Sequence, residues 1–286
     1  MIKFDKDTKI LIVGLGLIGG SYAKALTKRG CQVSAITLNE SDIKYALDGG
    51  FISRGTTELD TELIQGADMI VFALYPTVFI DWIKKNQHLF APGTLITDVS
   101  GVKGSVVSAV QGMLRDDVEF ISAHPMAGRE QSGVEFSDDK VFSGANYIVT
   151  PTEKNTSEAI ETCKELGRVL GFGRITELTP EKHDEMIGFL SQLTHCIAVS
   201  LVTSNCEEGL EKYTGDSFRD LTRIAKINDV MWSELFLMNK YELLKQMDAF
   251  EDEFRRLRRY ILEENREEMQ KMMRSSTERR KKFDKI

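Results

Sequence analysis

Short apolar runs, each closed by glycine, proline or a polar residue, recur through the first part of the chain. Lys9-Ile10-Leu11-Ile12-Val13 is rich in β-branched side chains and does not alternate with polar residues, which predicts a strand buried on both faces. Gln32 to Leu38, Met69 to Leu74, Leu95 to Val99, Tyr147 to Pro151 and Arg174 to Leu178 predict further strands. Val118 to Ser122 predicts another, leading into His124-Pro125 at a strand end. Between these runs, Ser21 to Arg29 (with Gly30 as its stop), Asp42 to Gly49, Val78 to Asn86, Ser105 to Leu114 and Ser157 to Leu170 read as helices. Strand and helix alternate in order, which predicts a doubly wound α/β domain of Rossmann type over residues 1–178.

After Pro180 the pattern changes. Residues 179–286 carry no strand pattern and predict an all-helical domain. Met186 to Val202 is apolar nearly all round, so it must be buried within the domain or in an oligomer interface. From Leu243, the positions Leu243, Met247, Phe250, Phe254, Leu257 and Ile261 recur at spacings of four and three, a stripe that needs another helix. A second copy is the commonest solution, so a homodimer through the helical half is expected. The polar tail from Arg274 is expected to fray.

Composition adds exclusions. A length of 286 residues suits two domains. The net charge of −7 gives no reason to invoke nucleic acid or an anionic membrane surface. Cys31, Cys163, Cys196 and Cys206 are scattered without a CxxC pair, so neither a metal site nor a disulfide framework is expected. No signal peptide or bilayer-spanning run is read, and the expected compartment is the cytoplasm.

The first chemistry lies directly after the first strand, in Gly14-Leu15-Gly16-Leu17-Ile18-Gly19. A glycine loop between a buried strand and a helix is a dinucleotide-binding unit. Gly14 permits the tight turn, Gly16 lets the backbone approach a pyrophosphate, and Gly19 lets helix and strand pack closely. Leu17 and Ile18, within the loop, are expected to meet the cofactor, and the N-terminus of the helix that follows offers free N–H groups to the phosphates. The residue expected to hold the adenosine ribose is Thr37, where an acid is usual. No arginine stands beside it to bind a 2′-phosphate. NAD and NADP both stay open, with NAD preferred. Tyr75-Pro76 ends a later strand at the rim, where a nicotinamide ribose can lie.

The second chemistry is His124, in His124-Pro125-Met126-Ala127-Gly128-Arg129-Glu130. Histidine is suited to moving a proton near neutral pH. The glycine loop, Asp98-Val99-Ser100-Gly101-Val102-Lys103, the histidine motif, His183-Asp184, Ser191-Gln192-Leu193-Thr194-His195 and Thr222-Arg223-Ile224-Ala225 through Trp232 together resemble the prephenate and arogenate dehydrogenases of tyrosine biosynthesis. The resemblance implies roles. His124 would bind the substrate's ring hydroxyl and act as base, and Ser100 would orient both. Glu130 would help gate the site, Ser191 and His195 would line it, Arg223 would bind a carboxylate, and Trp232 would wall the pocket. The chain departs from the family at Gln192, often histidine, at Thr194, often proline, and at Thr37.

The implied reaction is oxidative decarboxylation of prephenate to 4-hydroxyphenylpyruvate with hydride transfer to NAD or NADP. Arogenate, giving tyrosine directly, is the alternative substrate. A β-hydroxyacid-type dehydrogenase would need a lysine in the helical domain, and Met186 to Val202 has none. A dinucleotide-binding sensor without turnover would not need His124, Ser100 and Arg223 together.

Overall fold

The computed structural model describes residues 1–128 and 131–284. The first half is built on six strands: β1 (Lys9–Val13), β2 (Gln32–Ile36), β3 (Arg54–Thr56), β4 (Met69–Phe72), β5 (Leu95–Asp98) and β6 (Glu119–Phe120). They form one parallel sheet in the order β3-β2-β1-β4-β5-β6. The order reverses between β1 and β4, and ligands of such sheets bind in the crevice outside the strand ends at that point. Helices α1 (Leu17–Arg29), α2 (Glu40–Asp48), α3 (Thr61–Gln65), α4 (Pro76–Asn86) and α5 (Gly104–Met113) connect the strands.

The apolar run of β1 explains its place. Ile10 and Ile12 join one buried cluster, and Leu11 and Val13 join another. Strand side chains alternate between faces, so a strand at the centre of a two-faced sheet needs every position apolar. Each such side chain contributes roughly 1.5–3 kcal/mol through burial.

A second sheet follows. The run expected as one strand ending in His124 is two. Ile121 still donates to Ile96 O at 3.0 Å, as the continuation of β6. The chain then leaves the parallel sheet, and β7 (Ser122–Met126) pairs antiparallel with β8 (Asn146–Thr150). His124 therefore sits inside a strand opposite Ile148, not at the end of a parallel one. Strand β9 (Arg174–Glu177) pairs parallel with β8, after helix α6 (Ser157–Val169).

The remainder is helical: α7 (Pro180–Ile187), a π-helical turn (Gly188–Leu193), α8 (Thr194–Thr203), α9 (Asp216–Thr222), α10 (Asp229–Met238), α11 (Lys240–Leu262) and α12 (Arg266–Arg280). The chain divides into two units, Met1–Asn239 and Lys240–Ile286. The tail expected to fray from Arg274 is helical through Arg280. Asn265 accepts from the Glu268 N–H, and Glu267 and Glu268 sit in the first turn, where acids favour a helix.

The segment Met186 to Val202 is not buried all round in the single chain. Phe189, Leu190 and Val202 are 52%, 48% and 44% exposed. Pro180–Thr203 is also long and apolar enough to cross a membrane by length and composition, with mean hydropathy 1.5. Its buried face, however, carries His183, Asp184 and Gln192, all hydrogen-bonded within the protein. That face belongs to a protein interior.

Candidate active site

The glycine loop follows β1 directly. Gly14 has φ +98°, and a Cβ there would meet Ala73 O at 2.5 Å. A Cβ on Gly19 would collide with Gly14 O, whereas beside Gly16 there is open space. Two glycines therefore close the turn and the third leaves its outer side clear. Gly16 is the N-cap of α1 and supplies no side-chain bond, so it leaves the first N–H groups of the helix, from Leu17 and Ile18 on, uncapped. This cradle fits the pyrophosphate of a dinucleotide. Thr37, just past β2, accepts from the Leu15 N–H at 3.4 Å, which ties the loop to the position expected to meet the ribose. Glu40 and Asp42, in the first turn of α2, add negative charge nearby along the chain.

The end of β5 supplies the next layer. Asp98 is fully buried and accepts from Lys103 Nζ at 3.0 and 2.9 Å, from Ser122 Oγ at 2.6 Å, from the Ala123 N–H at 3.2 Å and from the Ser100 N–H at 3.0 Å. Lys103 Nζ also donates to Ala123 O at 2.6 Å. One buried ion pair thus joins the β5 end, which carries Ser100, to β7, which carries His124. Burial lowers the Lys103 pKa, and Asp98 opposes that shift. Ser100 Oγ is buried without a hydrogen-bond partner among the described residues. A buried hydroxyl left so is where a ligand hydroxyl can bind.

His124 is partly accessible. Its Nδ1 lies 2.8 Å from His183 Nε2, and His183 Nδ1 lies 2.8 Å from Asp184 Oδ1. Asp184 also accepts from the Lys103 and Gly104 N–H groups, each at 2.8 Å, so it caps α5 from α7. The His124 pKa lies well below the usual histidine value, through burial first, then His183 and Lys103. That of His183 is lowered by burial, with Asp184 opposing. Both rings are therefore neutral at pH 7. A Cβ built on Gly101 would lie 3.9 Å from His124 Cε1 and 3.5 Å from a Leu235 methyl, so Ser100-Gly101, His124 and α10 meet at one place.

The helical side is held to the same rim. Tyr75 is the N-cap of α4 and Pro76 its first residue. The Thr77 N–H donates to Glu234 at 2.6 Å, and Asn228 Nδ2 donates to Tyr75 OH at 3.2 Å. Gln192, where the family often has histidine, is structural here. It donates to Leu235 O at 3.0 Å and accepts from Asn239 at 2.7 Å. His195 Nδ1 donates to Ser191 O at 2.8 Å across the π-turn, and the His195 ring stacks on Trp232 with centroids 3.7 Å apart. Arg223 is exposed on a 3₁₀ turn (Arg223–Ala225) beside α8. Glu130 lies outside the described residues. His183 touches His124 directly and Asp184 holds the far side of the His183 ring, though neither carried a role in the sequence reading. Their adjacency just before the helical segment expected from Met186 was visible, but the target of His183, 59 residues away, was not.

With this geometry in place, comparison with known proteins gives a consistent picture. Residues 22–173 match the family model described as prephenate dehydrogenase, nucleotide-binding domain. Residues 179–275 match prephenate dehydrogenase, dimerization domain. The chain is 31% identical over 271 residues to a prephenate dehydrogenase of Bacillus subtilis strain 168, covering 92% of this chain and 72% of that one. It is 29% identical to a cyclohexadienyl dehydrogenase of Zymomonas mobilis, covering 88% of each. Among solved structures, prephenate dehydrogenase from Aquifex aeolicus in complex with hydroxyphenyl propionate and NAD+ superposes with a TM-score of 0.89 at 32% identity, covering 97% of this chain and 98% of that one.

Proposed function

The chain belongs to the prephenate dehydrogenase family, and we propose that it oxidatively decarboxylates prephenate to 4-hydroxyphenylpyruvate, with His124 as base. The observation that carries the reading is that the Ser100-Gly101 turn meets His124, with Ser100 Oγ buried and without a hydrogen-bond partner among the described residues. When bound, NAD(P) supplies the hydride acceptor. Ser100 Oγ and His124 hold the substrate's ring hydroxyl, and His124 takes its proton. The oxidised ring then loses CO2 because that loss makes it aromatic, so no strong activation of the carboxylate is required. Arg223 offers a planar fork to a carboxylate. His195 and Trp232, stacked, form an aromatic wall, with Ser191 holding the His195 ring. Glu130 would help gate the entrance. The test is reduced-cofactor absorbance with NAD or NADP, each with prephenate or arogenate. Turnover of prephenate with NAD is expected, and absence of turnover with both substrates refutes the reading.

Thr37 sets the cofactor choice in this reading. Thr37→Asp places a carboxylate at the ribose 2′ position, where it repels a phosphate. The NADP KM should rise about tenfold or more relative to that of NAD, equivalent to roughly 1.4 kcal/mol. An unchanged NAD to NADP ratio means that Thr37 does not meet the ribose.

The functional domains divide near residue 178, into a nucleotide-binding part and a helical part for substrate and dimerisation. The helical part leaves large apolar side chains in water: Phe189, Leu190 and Leu237 in the first unit, Phe254, Ile261 and Leu262 in the second. A second copy related by a two-fold axis covers such faces. Light scattering should give twice the monomer mass, and a monomer at micromolar concentration sinks the arrangement. The compartment is the cytoplasm, where free thiols such as those of the four cysteines stay reduced.

A further inference from the structure

We propose that Asp184 and His183 form a positioning relay that fixes the tautomer of His124, keeping the proton on Nδ1 and the lone pair of Nε2 toward the substrate. The inference rests on the functional reading above, and its argument is geometric. Asp184 accepts from two backbone N–H groups, Lys103 and Gly104, so its oxygens act as acceptors. His183 Nδ1, 2.8 Å from Asp184 Oδ1, must then donate. A neutral imidazole with its proton on Nδ1 has a lone pair on Nε2. His183 Nε2 lies 2.8 Å from His124 Nδ1, so it accepts and His124 Nδ1 carries the hydrogen. His124 Nε2 is left as the basic atom.

During the reaction the substrate O–H bond breaks and an Nε2–H bond forms on His124, while the hydride leaves for the nicotinamide. His124 becomes an imidazolium, and its Nδ1–H bond to His183 strengthens because the donor is now charged. Asp184 is the anion behind it. The logic is that of the serine-protease triad, where a buried aspartate orients the base without taking its proton. Here a second imidazole stands between the two. Among the described residues, the other charged groups around the rings are Lys103, which disfavours either cation, and Asp98, which is neutralised by Lys103. The same carboxylate caps α5, which follows the Ser100 loop, so one side chain sets both the base and the loop that carries its partner hydroxyl.

The test uses the full-length chain with NAD bound and nitrogen-15 in its histidines, of which the chain has 4. Wild-type His124 should show a protonated Nδ1 and an unprotonated Nε2 at pH 8. His183→Leu removes the acceptor. It should lose that tautomer preference and about 10–100-fold in kcat, with KM for prephenate within roughly threefold, the scale for residues that act through another. His183→Gln restores an acceptor oxygen near the Nε2 position and should recover most of kcat and the Nδ1–H tautomer. A wild type that turns over prephenate with the proton on Nε2 overturns the relay while the activity stands. Equal impairment of the Gln and Leu variants also overturns it. If His183→Leu does not fold, the wild-type spectrum and His183→Gln decide. A chain inert toward prephenate and arogenate removes the functional reading and the relay's role with it.

Discussion

His124→Asn should abolish most turnover and leave cofactor binding intact. The asparagine amide can replace the Nδ1–H edge of the ring and keep the bond to His183 Nε2, which is 2.8 Å long in the parent. It offers no base at the Nε2 position. A general base contributes about 10²–10⁴-fold, so kcat should fall by at least ~10²-fold with KM little changed. NAD affinity should hold, because the cradle of Gly14, Gly16 and Gly19 is separate from this ring. The pH profile gives a second reading. His124 must be neutral to act, and its pKa is pushed well below 6.5 by burial, His183 and Lys103. For a base with a depressed pKa, activity is lost as pH falls through that value and is flat above it. Wild-type kcat/KM should therefore be level from neutral pH upward, and its acid limb should lie below pH 6.5. The Asn variant should lack that limb. A kcat within a few-fold of wild type, or an acid limb above pH 7, removes His124 as the base.

Much of this site was legible in the chain because the relevant physics is local. The apolar run Lys9–Val13 and the glycines behind it determine their own turn, since Gly14 and Gly19 sit where a Cβ collides with backbone. The C-terminal glycine of α1, Gly30, with φ 104°, stops the helix as expected. Other elements left no local trace. Strand β3 is Arg-Gly-Thr, without alternation or apolar residues, and it exists because β2 offers an edge to pair with. The break at Ile121 is invisible because both halves of the run are apolar or small. It is made by Asp98, which pulls Ser122 and Ala123 out of the parallel sheet. The roles of His183, Asp184 and Gln192 depend on partners dozens of residues away, which spacing cannot encode. The exposed faces of Phe189 and Leu190 show the opposite limit. Sequence demanded that they be covered, and a single chain does not cover them.

Lys103→Met should destabilise the fold by about 3–5 kcal/mol, the cost of breaking a buried ion pair by removing one partner. Lys103 Nζ is fully buried and donates to both oxygens of Asp98 and to Ala123 O, so all three of its hydrogens are used. Methionine fills the space but leaves the Asp98 carboxylate uncompensated and Ala123 O without its donor. Most of the cost is that stranded charge. Adding Asp98→Asn to Lys103→Met should therefore return a large part of the lost stability, because a neutral amide can still accept from Ser122 and Ala123. Urea unfolding of the wild type, both single variants and the double variant measures this as a coupling energy between the two positions. The network also joins the strand of His124 to the loop of Ser100. The folded fraction of Lys103→Met should accordingly show reduced kcat with its NAD affinity near wild type. A cost below about 1 kcal/mol for Lys103→Met, or costs that simply add in the double variant, shows that the pair does not carry this junction.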